Sequence, residues 1–162
     1  DPEASDALAR ERGYDNLILA SLTPGTPKEI DALVMEYEPD VVIVDQVRNL
    51  YVGDGSDDPV RQMDIAVKAM RRLAKKRQVV VLSLTQAGDS AQGKIVLDMS
   101  DVYGSKTAAA AQADVMIGIG GSHEDFQYNR RVISLPKNKL SGNHSYFPVM
   151  IDPTLNKMRG LD

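Results

Sequence analysis

The stretch of this sequence that most limits its fold is an unbroken run of β-branched residues, Val41 to Val44, which ends at the acidic residue Asp45. A run without polar alternation predicts a strand that is buried on both faces, as strands of parallel sheets are. In open parallel sheets, ligands bind beyond the carboxyl ends of the strands. The run therefore favours an α/β fold with Asp45 at the ligand-binding edge. The alternative is an acidic residue that only caps a turn.

A second run, largely apolar, covers residues 79–84, also predicts a buried strand, and is followed by Thr85 and Gln86. If the two strands are parallel neighbours, Gln86 lies at the same edge as Asp45. A neutral amide in that position can contact the terminal phosphate of a nucleotide or orient a water molecule. The alternative is a loop amide that bonds only to backbone.

The remaining pattern predicts alternating helices and strands. Helices are expected at 4–12, 27–37, 59–77 and 107–112, and further strands at 17–20, 114–119, 131–135, 145–151 and 155–159. The second helix has the capping-box spacing of Thr26 and Glu29, with Pro27 at its first position. Residues 120–127 are expected to form a turn region. This order predicts a mostly parallel sheet flanked by helices, with antiparallel edge strands near the carboxyl end, in one domain over residues 1–162.

The long polar stretch 88–104 exceeds the usual length of a connection, which suggests a functional loop. Small polar loops of this kind can follow the backbone of single-stranded DNA. A surface loop without a function is the alternative, because its aspartates outnumber its one lysine. The candidate DNA contacts in and after this loop are Gly88, Ser90, Gln92, Gly93, Lys94 and Lys106.

Lys137 and Lys139 are a second candidate for contacts with phosphate. Two cations that are two residues apart on a strand point to the same side of it, where they suit a polyphosphate held at the edge of a neighbouring subunit. The alternative is a solvated hairpin tip.

Composition excludes several classes of protein. The 162 residues include no cysteine, which rules out disulfides and thiolate metal sites and agrees with a cytoplasmic protein. No apolar run is long enough to span a membrane, and His123 and His144 lack the spacing of a zinc site. The net charge of −4 argues against a general nucleic-acid binder, but basic residues concentrate in 59–77 and 127–150 and leave room for a local anion site. The motifs G-x-x-x-x-G-K-[ST], G-x-S-x-G and H-E-x-x-H do not occur.

Taken in order, these segments resemble the RecA-type ATPase domain of DnaB-like replicative helicases, over about residues 15–160. The run that ends at Asp45 resembles the Walker B strand of that family, and the run that ends at Gln86 resembles the next strand with its phosphate-sensing glutamine. Residues 133–139 resemble the strand that carries the residues acting on a neighbour's nucleotide, with Lys139 where the family usually has arginine. Residues 61–62 and 73–75 resemble the helix after the Walker B strand, and residues 98–102 and 112–115 resemble the family's DNA-loop region and the strand after it.

The resemblance implies an ATP-driven hexameric ring whose nucleotide sites are shared between subunits. Asp45 would then support Mg²⁺, Gln86 would contact ATP, and Lys137 and Lys139 would act on the neighbouring subunit's nucleotide. Central loops would hold single-stranded DNA, and a primase or helicase loader would be a further partner. The family's phosphate-binding loop would lie upstream of Asp1, so this chain alone is expected to be inactive. A bacterial or phage-infected cytoplasm is the implied setting.

Two other interpretations of the sequence stay open. One is a RecA-like recombination or regulatory ATPase, which shares much of this pattern. The other is a degenerate RecA-like module that assembles or binds a partner without catalysis.

Overall fold

The structure is a computed structural model, and it describes residues 7, 10–53, 55, 58–103 and 108–161. The helices are α1 (Pro27–Tyr37), α2 (Pro59–Arg77), α3 (Ala108–Gln112) and α4 (His123–Gln127). The strands are β1 (Val41–Asp45), β2 (Val80–Leu84), β3 (Val115–Gly120), β4 (Arg130–Asn138), β5 (Tyr146–Asp152) and β6 (Lys157–Gly160).

The strands β1 and β2 form a parallel pair, in which Val41 lies opposite Val80 and Asp45 opposite Leu84. Helices α1 and α2 cover one face of this pair, and the main hydrophobic core lies between them. Apolar residues repeat every three or four positions along both helices, which places them on the side that faces the strands. The buried core residues are Ile30, Val34, Val44, Val47, Leu50, Met63, Ala66, Val67, Met70 and Leu73.

Local sequence signals fix where these helices begin, and an ion pair ties them together. The predicted capping box is confirmed, because the Thr26 hydroxyl accepts from the Glu29 backbone N–H at 3.2 Å while the Glu29 carboxylate accepts from the Thr26 N–H at 2.8 Å. Asp31 of α1 accepts from the Arg77 Nε at 2.6 Å and from the Lys76 Nζ at 2.8 Å. Hydrogen bonds from Arg77 and then Lys76 hold the pKa of the Asp31 carboxyl well below its usual range. Part of the basic face of α2 therefore serves packing between helices.

The opposite face of the parallel pair is not covered by the described residues. Val41 and Ile43 of β1 are 51% and 60% exposed, and Val80 and Leu82 of β2 are 62% and 47% exposed. A contiguous apolar surface of this kind usually marks a place where another polypeptide packs.

The other four strands form an antiparallel sheet in the order β3-β4-β5-β6. Both β4–β5 and β5–β6 are hairpins, so their pairing is local in sequence. The predicted α/β class is confirmed, as is the antiparallel group near the carboxyl end. The sheets differ from the expectation in one respect: β3 pairs with β4, and within the described residues only β1 and β2 pair in parallel.

Two local predictions were wrong, and one falls largely outside the described residues. Residues 17–20 form no strand, since no described strand pairs with them and Leu19 is 86% exposed. The expected turn at 120–127 contains α4, whose start is capped by Ser122 and Asp125. The sequence carried this signal as an S-x-x-D spacing. Most of the predicted helix at 4–12 lies outside the part of the chain that the structure describes. The same is true of Thr107, the first residue of the predicted helix at 107–112.

Candidate functional site

The carboxyl ends of β1 and β2 bring Asp45 and Gln86 to one edge of the parallel pair. Asp45 is the last residue of β1 and lies opposite Leu84, two residues before Gln86. Both side chains are exposed at this edge. The arrangement follows from the parallel register, because neighbouring parallel strands end at the same side of a sheet.

Arg48 joins this edge, and the sequence interpretation missed it. It lies on a single 3-10 turn, Val47–Asn49, directly after β1. The Arg48 Nη1 donates to the Gln86 Oε1 at 2.8 Å, and the guanidinium carbon lies 4.4 Å from the centre of the Tyr103 ring. The only available signal was that Arg48 is the one basic residue between Lys28 and Arg61. Nothing in the sequence indicated which side chains it would meet.

The loop that follows Gln86, residues 88–103, is closed at its base by backbone hydrogen bonds. The Tyr103 N–H donates to the Gln86 carbonyl at 3.1 Å, and the Gly88 N–H donates to the Asp101 carbonyl at 2.7 Å. An isolated antiparallel bridge between Ala87 and Val102 lies between them. The two ends of the loop are thus held together next to the candidate site.

A buried carboxylate organises the interior of this loop. Asp101 is only 2% exposed and accepts from the Lys94 Nζ at 2.8 Å, the Ser90 hydroxyl at 3.0 Å and the Asp98 backbone N–H at 2.9 Å. Burial raises the pKa of Asp101, but the hydrogen bonds from Asp98, Lys94 and Ser90 outweigh burial and leave it below its usual value. Two predicted DNA contacts, Ser90 and Lys94, are therefore engaged with Asp101 in this structure.

Lys94 also pairs with the exposed Asp98, at 3.2 Å. The pKa of Asp98 is lowered to about 2, first by hydrogen bonds from the hydroxyl and backbone of Ser100 and then by Lys94. The pKa of Lys94 is raised by its hydrogen bonds to Asp101 and Asp98.

The loop packs directly on β3, and two glycines make this contact possible. A Cβ added at Gly120 would lie 2.5 Å from the Ile95 carbonyl oxygen and 2.8 Å from that of Lys94. A Cβ added at Gly118 would lie 2.9 Å from the Leu97 Cβ. The Gly121 N–H donates to the Lys94 carbonyl at 3.0 Å. The glycine-rich end of β3 therefore serves close approach of backbone to backbone.

The other predicted DNA contacts differ in how exposed they are. Gln92 and Gly93 are exposed in the loop, and Gly93 adopts a φ of +74°. Gly88 is half-buried at the loop base. Lys106 lies outside the described residues. Gln92 and Gly93 are thus the candidates that stand open to an approaching strand.

Lys137 lies on β4, but Lys139 lies in the turn directly after it and not on the strand as expected, and neither is at the edge that holds Asp45. Lys137 donates to the Ala110 carbonyl, and the Lys139 Nζ lies 3.5 Å from the Asp114 carboxylate. Arg71 of α2 contacts the same carboxylate at 3.2 Å. Burial, followed by the nearby charge of Lys139, lowers the pKa of Lys137. Arg71 and Lys139 thus both contact Asp114, and Lys137 lies near enough to feel its charge, so positive charge is in excess there.

The candidate edge fits a hydrated magnesium ion held mainly by a nucleotide. Magnesium is usually bound through one or two carboxylates together with substrate phosphates and water, so a single Asp45 is a sufficient protein contribution. Among the described residues, no group of three acidic or histidine side chains is placed to hold a metal ion. The buried Thr85 hydroxyl, next to Gln86, has no hydrogen-bond partner within the described ranges.

None of the helices in the described ranges is long and apolar enough to cross a bilayer.

Comparison with solved structures shows that the chain has the fold of DnaB-like helicase ATPase domains. One solved ATPase domain of this class matches with a TM-score of 0.73 and 15% sequence identity, over 85% of this chain and 52% of that one. A DnaB-like replicative helicase, described with its interactions with primase, matches with the same TM-score and identity, over 85% of this chain and 35% of that one. The chain therefore spans about half or less of these proteins.

At 15% sequence identity, the similarity to these two structures shows a shared fold and nothing further. No family model matches the sequence, and no curated protein matches it. The structural match nevertheless confirms the similarity to DnaB-like ATPase domains that the ordered motifs predicted.

Proposed function

We propose that this chain is part of the motor domain of an ATP-driven, hexameric replicative DNA helicase, bacterial or phage-encoded, that moves along single-stranded DNA. The observation that carries this proposal is the position of Asp45 and Gln86, at the carboxyl ends of adjacent parallel strands in a fold shared with helicase ATPase domains. Ligands of α/β proteins bind at this edge.

In this proposal, each residue at the edge has a distinct task. Asp45 supports magnesium through its exposed carboxylate, and Gln86 contacts the terminal phosphate of ATP. Bound magnesium would neutralise charge that develops on the transferred phosphoryl group.

The phosphate-binding loop belongs, in this proposal, to a segment outside the 162 residues. The exposed apolar face formed by Val41, Ile43, Val80 and Leu82 supports this, because a larger domain would cover it. Lys137 and Lys139 would serve the nucleotide of the neighbouring subunit in the ring, and the positive excess around Asp114 suits that task. A lysine in place of arginine keeps the charge but cannot form two parallel hydrogen bonds.

Single-stranded DNA would be held by central loops that include residues 88–103. Contacts with phosphates position a strand without reading its sequence, so we expect little sequence preference. The exposed Gln92 and Gly93 are the described positions best placed for such contacts. A primase or helicase loader is a further proposed partner, and the cytoplasm of a bacterium, normal or phage-infected, is the proposed setting.

The test is Asp45→Asn in the full-length protein that carries this chain. ATP hydrolysis should fall by roughly a hundredfold or more, as expected when an electrostatic contributor is lost from a phosphoryl-transfer site. Thermal unfolding should be unchanged, because Asp45 is exposed. Asp40→Asn is the matched control, since Asp40 precedes the same strand at the opposite edge and is also exposed.

Unchanged hydrolysis in Asp45→Asn would remove Asp45 from the site. Unwinding of forked DNA by the wild-type protein separates a helicase from a RecA-like recombination or regulatory ATPase. Absence of hydrolysis in the wild-type full-length protein would instead favour a non-catalytic assembly module.

A further inference from the structure

Arg48 occupies a position from which it can control the candidate site. Its 3-10 turn is anchored by Val47 and Leu50, whose side chains are 1% and 8% exposed. The backbone of Arg48 is therefore fixed to the hydrophobic core three residues after Asp45. A side chain that extends from such an anchor can hold another group in one orientation.

The chemistry of the guanidinium group decides how the Gln86 amide is turned. Arginine carries only hydrogen-bond donors, so the Gln86 atom that it meets at 2.8 Å must be the carbonyl oxygen Oε1. The amide nitrogen Nε2, which is the donor end, is then the part of Gln86 that Arg48 does not use. The Arg48 contact thereby engages Oε1 and leaves the Nε2 group of Gln86 able to donate a hydrogen bond.

The same guanidinium group also connects Gln86 to the 88–103 loop. It lies 4.4 Å from the centre of the Tyr103 ring, within the range of a cation–π contact. The Tyr103 backbone N–H in turn donates to the backbone carbonyl oxygen of Gln86 at 3.1 Å. Arg48 thus touches both the side chain of Gln86 and the residue that closes the loop.

We propose that Arg48 is a positioning residue that holds Gln86 with its amide N–H group directed to an anionic oxygen and links this orientation to closure of the 88–103 loop. The identification of the anion as the terminal phosphate of ATP rests on the proposed function. The orientation of Gln86 does not, because it follows from the contacts of Arg48 alone. In this arrangement Gln86 contacts a phosphate as a donor, while Arg48 competes for the oxygen that would accept from a water molecule.

The first experiment needs no nucleotide and measures the Gln86 side-chain amide by ¹⁵N NMR in the full 162-residue chain. Arg48→Met keeps the apolar part of the side chain and removes every donor, so the Gln86 amide signal should move to the position of a mobile, exposed glutamine. Arg72→Met is the matched control, since Arg72 is an exposed arginine on α2. A Gln86 signal that is unchanged in Arg48→Met would overturn the proposal.

The second experiment measures ATP hydrolysis by the full-length protein. Arg48→Met should lower kcat by roughly tenfold with little change in KM, the lower end of what loss of an orienting partner costs at an ordered site. The same substitution in a Gln86→Ala background should cause no further loss, because Arg48 acts through Gln86. Independent, multiplicative losses would overturn the positioning role.

Gln86→Glu separates a donor role from an acceptor role. Glutamate retains the oxygen that Arg48 holds but lacks the N–H group, so activity should fall as far as in Gln86→Ala. Activity close to that of the wild type would show that Gln86 works as an acceptor and would overturn the inference. If the wild-type protein hydrolyses no ATP, the proposed function fails, while the NMR experiment still decides whether Arg48 orients Gln86.

Discussion

The segments that follow β1 and β2 end at the same edge but are held by opposite means. The segment after β1 is short, and two apolar side chains, Val47 and Leu50, fix it to the core. The 88–103 loop after β2 is long and is organised around the buried carboxylate of Asp101. Apolar burial depends little on pH, whereas a charged network depends on protonation and on every partner being present. The candidate site thus lies between a segment that is anchored by apolar burial and the 88–103 loop, whose structure depends on charged side chains.

The largest expected effect comes from removing the carboxylate at the centre of the loop. Asp101→Ala removes the acceptor of the Ser90 hydroxyl and of the Asp98 N–H, and one of the two carboxylates that bond to Lys94, which should cost about 2–3 kcal/mol of local stability. Hydrogen exchange should speed up at the Gly88 and Gly121 amides, which bond to loop carbonyls. Native-state hydrogen exchange measures both.

Two variants show whether this effect is specific to the loop. Asp89→Ala removes an exposed carboxylate from the same loop and should change little. Val47→Ala, which removes a side chain that is 1% exposed, should lower global stability by about 2 kcal/mol without selectively opening the loop. If the loop amides were equally protected from hydrogen exchange in Asp101→Ala and in the wild type, Asp101 would not be what organises the 88–103 loop.

The next effect concerns the contact between the loop and β3. Gly120→Ala places a Cβ against two backbone carbonyl oxygens, at Lys94 and Ile95, and neither can move away without shifting the loop. We expect a loss of about 1–3 kcal/mol, typical of overpacking, together with faster exchange in residues 88–103.

Gly160→Ala is the matched control for this substitution. Gly160 also lies in a strand, but an added Cβ there meets nothing within 4 Å. Urea unfolding of both variants measures the difference. Similar stabilities for the two would show that the loop does not rest on β3 as closely as the structure indicates.

The smallest expected effect is the response to acid. The pKa of Asp98 is lowered to about 2, and that of Asp101 also lies below its usual value. Carboxylates of this kind contribute stability that is complete above the unfolded pKa of about 3.9 and is lost as the pH falls through the lowered folded values. The loop should therefore lose order below about pH 4, while the segment anchored by Val47 should not respond directly.

Carboxyl ¹³C NMR on acidification from neutral pH measures this response. Lys94→Met should move the titration midpoints of Asp98 and Asp101 upward, because Lys94 bonds to both carboxylates. Lys75→Met, at an exposed position on α2, is the control. Midpoints that do not move in Lys94→Met would mean that Lys94 does not stabilise the ionised loop.

Much of the fold was predictable because its signals are local. The capping box at Thr26, the apolar periodicity of α2, the β-branched run of β1 and the largely apolar run of β2 each specify an element within a few residues. The placement of Asp45 and Gln86 at one edge followed from two such runs and the parallel rule. The strand expected at 17–20 failed for the converse reason: an apolar run forms a strand only where a neighbour pairs with it.

The sequence by itself determined most of the helices and strands in their order, and the edge that Asp45 and Gln86 share, since both depend on short-range patterns. The tertiary structure alone decided that Arg48 holds Gln86, that Asp101 is buried with Lys94, and that Gly120 admits the loop against β3. Each of these contacts joins side chains or backbone from different segments of the chain. Their partners are set by how the sheets and loops pack, and no local pattern encodes that packing.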